Sequence, residues 1–318
     1  MPIQSNGTDV YMDWLPQYLN TNNRLPHPNW ELVYKHIDEH LSHLESDTFW
    51  VEVARQWLSK LSAALEGDYK NVESENFILL SAEGASYTST FLKFLEHSRA
   101  QLLKALNGIT SDHGYGKHVV IIVSDNDTYY DYISNYGPEA GTYGLSSGMY
   151  INYGYGHFIF PHQEIDQAMP IAAHEMTHAL LTHLPIPTWL NEGLAMNMER
   201  LICNIPSPRL NRAMFEQHEE FWQETRIQEF WHGGSFSRPD VGQELSYHLA
   251  QILVNNLAEN YDSFVSFANK ANWQDGGENA IKEVFDISLG DMIYNFIGDG
   301  EWSPQPGTWQ ESSILDNS

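Results

Sequence analysis

The sequence predicts an α+β chain, in which a small mixed β-sheet lobe with helices is followed by a helical lobe. Three observations carry this expectation. Apolar residues recur at helical spacing over residues 29–66 and again from residue 169 onward. The β-branched run Val119-Val120-Ile121-Ile122-Val123 is too short for a typical helix and is bounded by polar residues. Between it and the second helical region lies a glycine-punctuated, tyrosine-rich stretch from Gly141 to Phe160. Two helices, then mixed strands around one long helix, then an all-helical remainder is the order expected of α+β layering.

Taken in order, Leu32, Val33, Ile37, Leu41 and Leu44, then Phe49, Val53, Trp57, Leu58 and Leu61, predict two N-terminal helices. Asn76–Ser81 predicts a short buried strand, and Tyr87–Leu106 a helix stopped by Asn107-Gly108. Lys117–Ser124 should be a central strand. Gly144, Gly148, Gly154 and Gly156 mark turns or bulges of a hairpin or meander. The expected division is an N-terminal helical segment (1–70), an α+β lobe (71–185), a helical lobe (186–298) and a loosely ordered tail (299–318) rich in Pro, Gly, Ser and Asp.

With 318 residues, 42% hydrophobic and 13% aromatic, the chain can bury a sizeable core, and no apolar run approaches the roughly 18 residues needed to span a bilayer. The first charged residue is the acidic Asp9, and no basic stretch precedes an apolar one, so no secretory signal is expected. The one cysteine, Cys203, excludes an intrachain disulfide and fits a reducing compartment, so the expected location is cytoplasmic. Forty-two acidic against 16 basic residues give a formal charge of −26, which repels phosphate backbones and anionic membranes. Neither nucleic acid nor membrane is an expected partner. An acidic surface kept for solubility is the plain reading, although a basic peptide would be attracted to it.

The segment that carries chemistry is His174-Glu175-Met176-Thr177-His178, between the helix-compatible flanks Ile171-Ala172-Ala173 and Ala179-Leu180-Leu181. On a helix, residues four apart share a face, with Cβ atoms about 5–6 Å apart, so both imidazoles can reach one ion at about 2.0–2.1 Å. Glu175 then projects beside the ion, where a carboxylate can take a proton from water and pass it to a leaving amine. A third histidine in the register that follows such a pair is absent: Leu181 and Leu184 occupy the relevant positions, and His183 misses by one. Two prolines, Pro185 and Pro187, end the helix, and Thr188 is placed to cap a second one whose Glu192 can point back at the histidines. Gly193 would let the two helices approach closely.

His-Glu-x-x-His followed by Trp189-Leu190-Asn191-Glu192-Gly193-Leu194-Ala195 resembles the signature of the gluzincin zinc peptidases, above all the aminopeptidase-N-like enzymes. The shorter gap between His178 and Glu192 is similar to that of compact peptidase MA-like families. The resemblance implies one zinc ion per chain on His174, His178 and Glu192, and Glu175 as catalytic base. It also implies a thermolysin-like site between the two lobes and a peptide or protein substrate, cut as by an endopeptidase. It further implies an exposed strand edge from residues 150–160 near the metal, and an oxyanion donor in the helical lobe. Tyr247 is the choice for that donor over its neighbour His248, because only one of two adjacent helix positions can face a cleft.

Two departures stand beside the resemblance. Gly148-Met149-Tyr150-Ile151-Asn152 lacks the amine-binding carboxylate of the aminopeptidases, and Met196 stands where thermolysin-like enzymes place a carboxylate that orients a ligand histidine. Other readings of the same residues are a zinc hydrolase acting on a non-peptide amide or ester, and a silent zinc-binding interaction module.

Overall fold

The computed structural model describes residues 3–5, 8–10, 13–20, 25–42, 45–112, 114–136, 147–206 and 211–309. Gly144 and the end of the tail from residue 310 lie outside the described residues. The fold class is α+β. Two compact units are present, Met1–Gln101 with Asp112–Ala179, and Leu102–Ser111 with Leu180–Ser318.

The first unit begins with two small antiparallel pairs, β1 (Ile3–Ser5) with β2 (Thr8–Val10) and β3 (Leu19–Asn20) with β4 (His27–Pro28). Helices α1 (Trp30–His40) and α2 (Asp47–Ala64) follow; the side chains of Asn29 and Ser46 cap their first turns by accepting from Leu32 and Phe49 main-chain N–H groups. The strands β5 (Lys70–Glu73), β6 (Phe77–Ser81), β7 (His118–Val123), β8 (Met149–Ile151) and β9 (His157–Pro161) form one sheet in the order β5-β6-β7-β9-β8. The strands β6, β7 and β9 run parallel, while β5 and β8 are antiparallel edges. The β-branched run is therefore the central strand, and Val119 to Val123 are all buried, as a strand covered on both faces requires. Helix α3 (Ala85–Ala105) joins β6 to β7, α4 (Asn126–Ile133) follows β7, and α5 (Ile165–Leu181) follows β9. Asp125 caps the start of α4, its carboxylate accepting from the Thr128 N–H at 2.8 Å.

Residues 1–70 do not stand apart as a helical segment. Trp30 of α1 and Trp57 of α2 share one core with Ile78, Val119, Ile121 and Ile159 of the sheet. Trp30 also lies where a Cβ on Gly154 would sit, and Gly154 takes φ +62° in the turn between β8 and β9. Its lack of a side chain is needed both for that turn and for the close approach.

The second unit holds α6 (Thr188–Cys203), α7 (Arg212–Phe221), α8 (Ile227–Trp231), α9 (Val241–Ala258), α10 (Tyr261–Ala268), α11 (Glu278–Phe285) and α12 (Leu289–Ile297). Asn107-Gly108 ends α3 as predicted, with Gly108 at φ +88° and its carbonyl accepting from Asn269 Nδ2 at 2.7 Å. The boundary between units falls at Ala179 and Leu180 instead of residue 185, and Leu102–Ser111 joins the second unit because Leu106 and Ile109 enter its core. The expected loose tail is corrected over residues 299–309. Trp302 is buried there, its carbonyl accepts from Trp231 Nε1 at 2.7 Å, and the Gln305 N–H donates to Gln228 Oε1 at 2.7 Å. Polar, Pro-rich composition announces a loop but not its tryptophan anchor. Among the described residues no helix is long and apolar enough to cross a membrane.

His157 is fully buried on β9, with Nδ1 donating to the Tyr155 carbonyl at 2.8 Å and Nε2 accepting from the Tyr132 hydroxyl at 2.8 Å. Burial pushes its pKa from 6.5 down to about 4, against the smaller raising effect of the Tyr155 carbonyl. Between those values the unfolded chain holds a proton that the native protein refuses, so this stability is present above pH 6.5 and lost as pH falls toward 4. Urea denaturation should show a loss of about 2 kcal/mol between pH 7 and pH 5 from this residue. His157→Gln should flatten that part of the slope while lowering stability at pH 7; an unchanged slope would refute the assignment.

Candidate metal centre

Helix α5 is dry on most of its surface. Ala168, Ala172, Ala173, Met176, Thr177, Leu180 and Leu181 are buried, whereas Ile171, His174, Glu175 and His178 form a half-buried stripe at spacings of three and four. Thr177 satisfies its buried hydroxyl on the Ala173 carbonyl at 2.9 Å, the i−4 bond open to a helical threonine. Pro170 lies inside α5 and is accepted four residues before the first histidine.

The two imidazoles stand edge to face with ring centroids 4.8 Å apart. Ligand atoms of His174, His178 and Glu192 all lie within 4.8 Å of one another, and each of the three residues is half-buried. Two ligands about 2.1 Å from one tetrahedral ion are about 3.4 Å apart. The group could hold an ion. Two nitrogens and one carboxylate oxygen are a donor set suited to zinc. His183 is exposed in the turn after α5 and is not part of this group.

Glu192 is carried by α6, whose start differs from the expected one. Thr188 is the first helical residue; the cap position is Pro187, which has no side chain to offer, and the Thr188 side chain instead packs where a Cβ on Gly233 would lie. Trp189 is core, with its indole N–H on the Gly276 carbonyl at 2.9 Å. Gly193 brings α6 against α9: a Cβ there would sit 2.6 Å from the Ala250 carbonyl oxygen and 2.7 Å from Val254 Cγ2.

Tyr247 shares that side of α9. At about 100° per residue it lies roughly 40° from the Ala250–Val254 direction, and His248 roughly 140°. Tyr247 is half-buried with its ring edge-on to Phe236, 5.2 Å between centroids. His248 is turned to α7, where Nδ1 meets His218 Nε2 at 2.8 Å. Trp222 Nε1 can only donate, and it does so to His218 Nδ1 at 3.0 Å. A neutral His218 then donates from Nε2, and His248 must carry its proton on Nε2, a buried nitrogen without a partner. Burial, and to a lesser degree His248, push the His218 pKa down to about 3, consistent with the neutral ring.

One contact was beyond sequence reasoning. The main-chain N–H of Tyr150 on β8 donates to Glu175 Oε2 at 2.8 Å. The only trace of it in the sequence is the placement of Gly148-Met149-Tyr150 shortly before the histidine helix. Of the expected strand edge, only β8 is an edge; β9 is paired on both sides. A separate groove of about 760 Å³ runs between β5 and α3, but its carboxylates already have partners in the protein, Glu73 in Arg55 and Lys117, Glu96 in Ser74 and Asn76.

No protein-family model matches this chain, and no curated protein matches it significantly in sequence.

The donor set predicts one zinc per chain after dialysis against zinc, measured by elemental analysis. His178→Ala should bind it far more weakly at unchanged far-ultraviolet circular dichroism, and full zinc occupancy in that variant would remove the assignment.

Proposed function

We propose that the protein is a zinc-dependent peptidase, an endopeptidase cleaving extended peptide segments. The observation that carries the reading is the convergence of His174, His178 and Glu192, with Glu175 beside the first ligand in the half-buried stripe of α5. A zinc ion held by these residues would supply Lewis-acid activation of water and of the substrate carbonyl.

The chain's own groups then have definite tasks. Glu175 accepts the proton of the attacking water and delivers it to the leaving amine, as a carboxylate held within hydrogen-bond reach of both can do. Tyr247 donates its hydroxyl proton in a hydrogen bond to the oxygen that gains charge as the carbonyl is attacked. Its place on the α6 side of α9 supports it over His248, whose Nδ1 is committed to His218. The Tyr150 carbonyl on the edge strand β8, turned away from β9, offers an acceptor to an extended peptide, which supports a peptide over a small ester or amide. The absence of a carboxylate in residues 148–152 argues against capture of a free N-terminal amine and for internal cleavage. The single cysteine supports a reducing, cytoplasmic setting.

Glu175→Gln should retain zinc and fold while losing nearly all hydrolysis of a quenched-fluorescent peptide library, since an amide cannot accept the proton. Substantial turnover would put the base elsewhere, and turnover confined to a panel of simple esters would change the substrate class. Tyr247→Phe should lower kcat about 10²–10³-fold with little change in KM, and His248→Ala should act mainly on stability. The reverse pattern would exchange their roles.

A further inference from the structure

Gly148 and Tyr150 fit α5 as two successive rungs. A Cβ on Gly148 would lie 2.9 Å from Ile171 Cγ2 and would also strike the Phe160 ring, so the main chain of the strand rests directly on α5. Two residues on, the Tyr150 N–H reaches Glu175, four residues after Ile171. Two strand residues advance about 6.6 Å and four helical residues about 6 Å, so the steps coincide. In the antiparallel pair, Tyr150 stands opposite Phe158, and its N–H and carbonyl both turn away from β9. Its ring is fixed independently, 4.9 Å from Phe158 between centroids and over Gly156, where a Cβ would collide with the tyrosine hydroxyl. Side chain and glycines thus lock the strand in register, and the register presents one amide to one carboxylate oxygen.

We propose that the Tyr150 main-chain amide is a positioning group for Glu175, which makes the edge strand part of the catalytic apparatus. The proposal rests on the hydrolytic reading of Glu175 given above. A hydrogen bond from a backbone N–H to a carboxylate is charge-assisted and directional. It fixes the carboxylate plane before substrate arrives, and with one oxygen engaged it sets which way the other faces.

Two measurements test this. In metal-free, ¹⁵N-labelled protein, Glu175→Ala should shift the Tyr150 amide resonance and speed its hydrogen exchange, with the Ile151 amide little changed. An unmoved Tyr150 amide overturns the proposal, whatever the protein hydrolyses. In zinc-loaded protein, replacing Tyr150 by its α-hydroxy acid puts an ester where the 149–150 amide was and deletes only the N–H. Against the quenched-fluorescent peptide library, kcat should fall about 10- to 100-fold, with KM within about twofold and zinc content unchanged. A parental kcat in the ester protein overturns the proposal. If the unaltered protein cleaves no library member, the peptidase reading fails, and the amide measurement still decides whether β8 holds Glu175.

Discussion

Helix α5 has to bury alanine, methionine and leucine on most of its circumference and still carry two imidazoles and a carboxylate on the remainder. A turn of about 100° would carry polar side chains into the core, and each buried polar group left without a partner costs about 1–3 kcal/mol. The helix therefore has a single rotational setting. That setting aims His174, Glu175 and His178 together. Strand β8 is placed by contact of Gly148 with Ile171, and Glu192 is placed by α6, whose own position depends on Gly193 meeting the α9 backbone. A methyl group at either glycine would act on the centre without touching a ligand.

The parts legible in the sequence were those dictated by local chemistry. The β-branched run became the central strand because no other setting buries five such residues. Asn107-Gly108 stopped α3 because glycine alone takes φ +88° without strain. The paired histidines were visible because helical spacing converts i and i+4 into one face.

The illegible parts were set by partners distant in the chain. Strand β5, Lys-Asn-Val-Glu, has no apolar pattern because it is an exposed edge held by main-chain bonds to β6. Thr188 looks like a cap but is used to fill the space beside Gly233, and Gly193 serves α9, which is nearly fifty residues further along the chain. The Tyr150 amide is the extreme case, since every non-proline residue has one and only the assembled register distinguishes it. Neutral, fully buried histidines such as His157 and His218 also resemble potential ligands in the sequence; burial separates them from the half-buried His174 and His178.

The Trp30–Gly154 contact gives the N-terminal helices a part in the candidate centre despite their distance from it in the chain. Trp30 braces the turn between β8 and β9, and Trp57 supports it from beneath, edge-on to Trp30 at 5.4 Å and to His157 at 5.0 Å. The first helices hold up the strand that meets Glu175, so removal of α1 would take away the brace of the β8–β9 turn and loosen that strand's hold on the carboxylate.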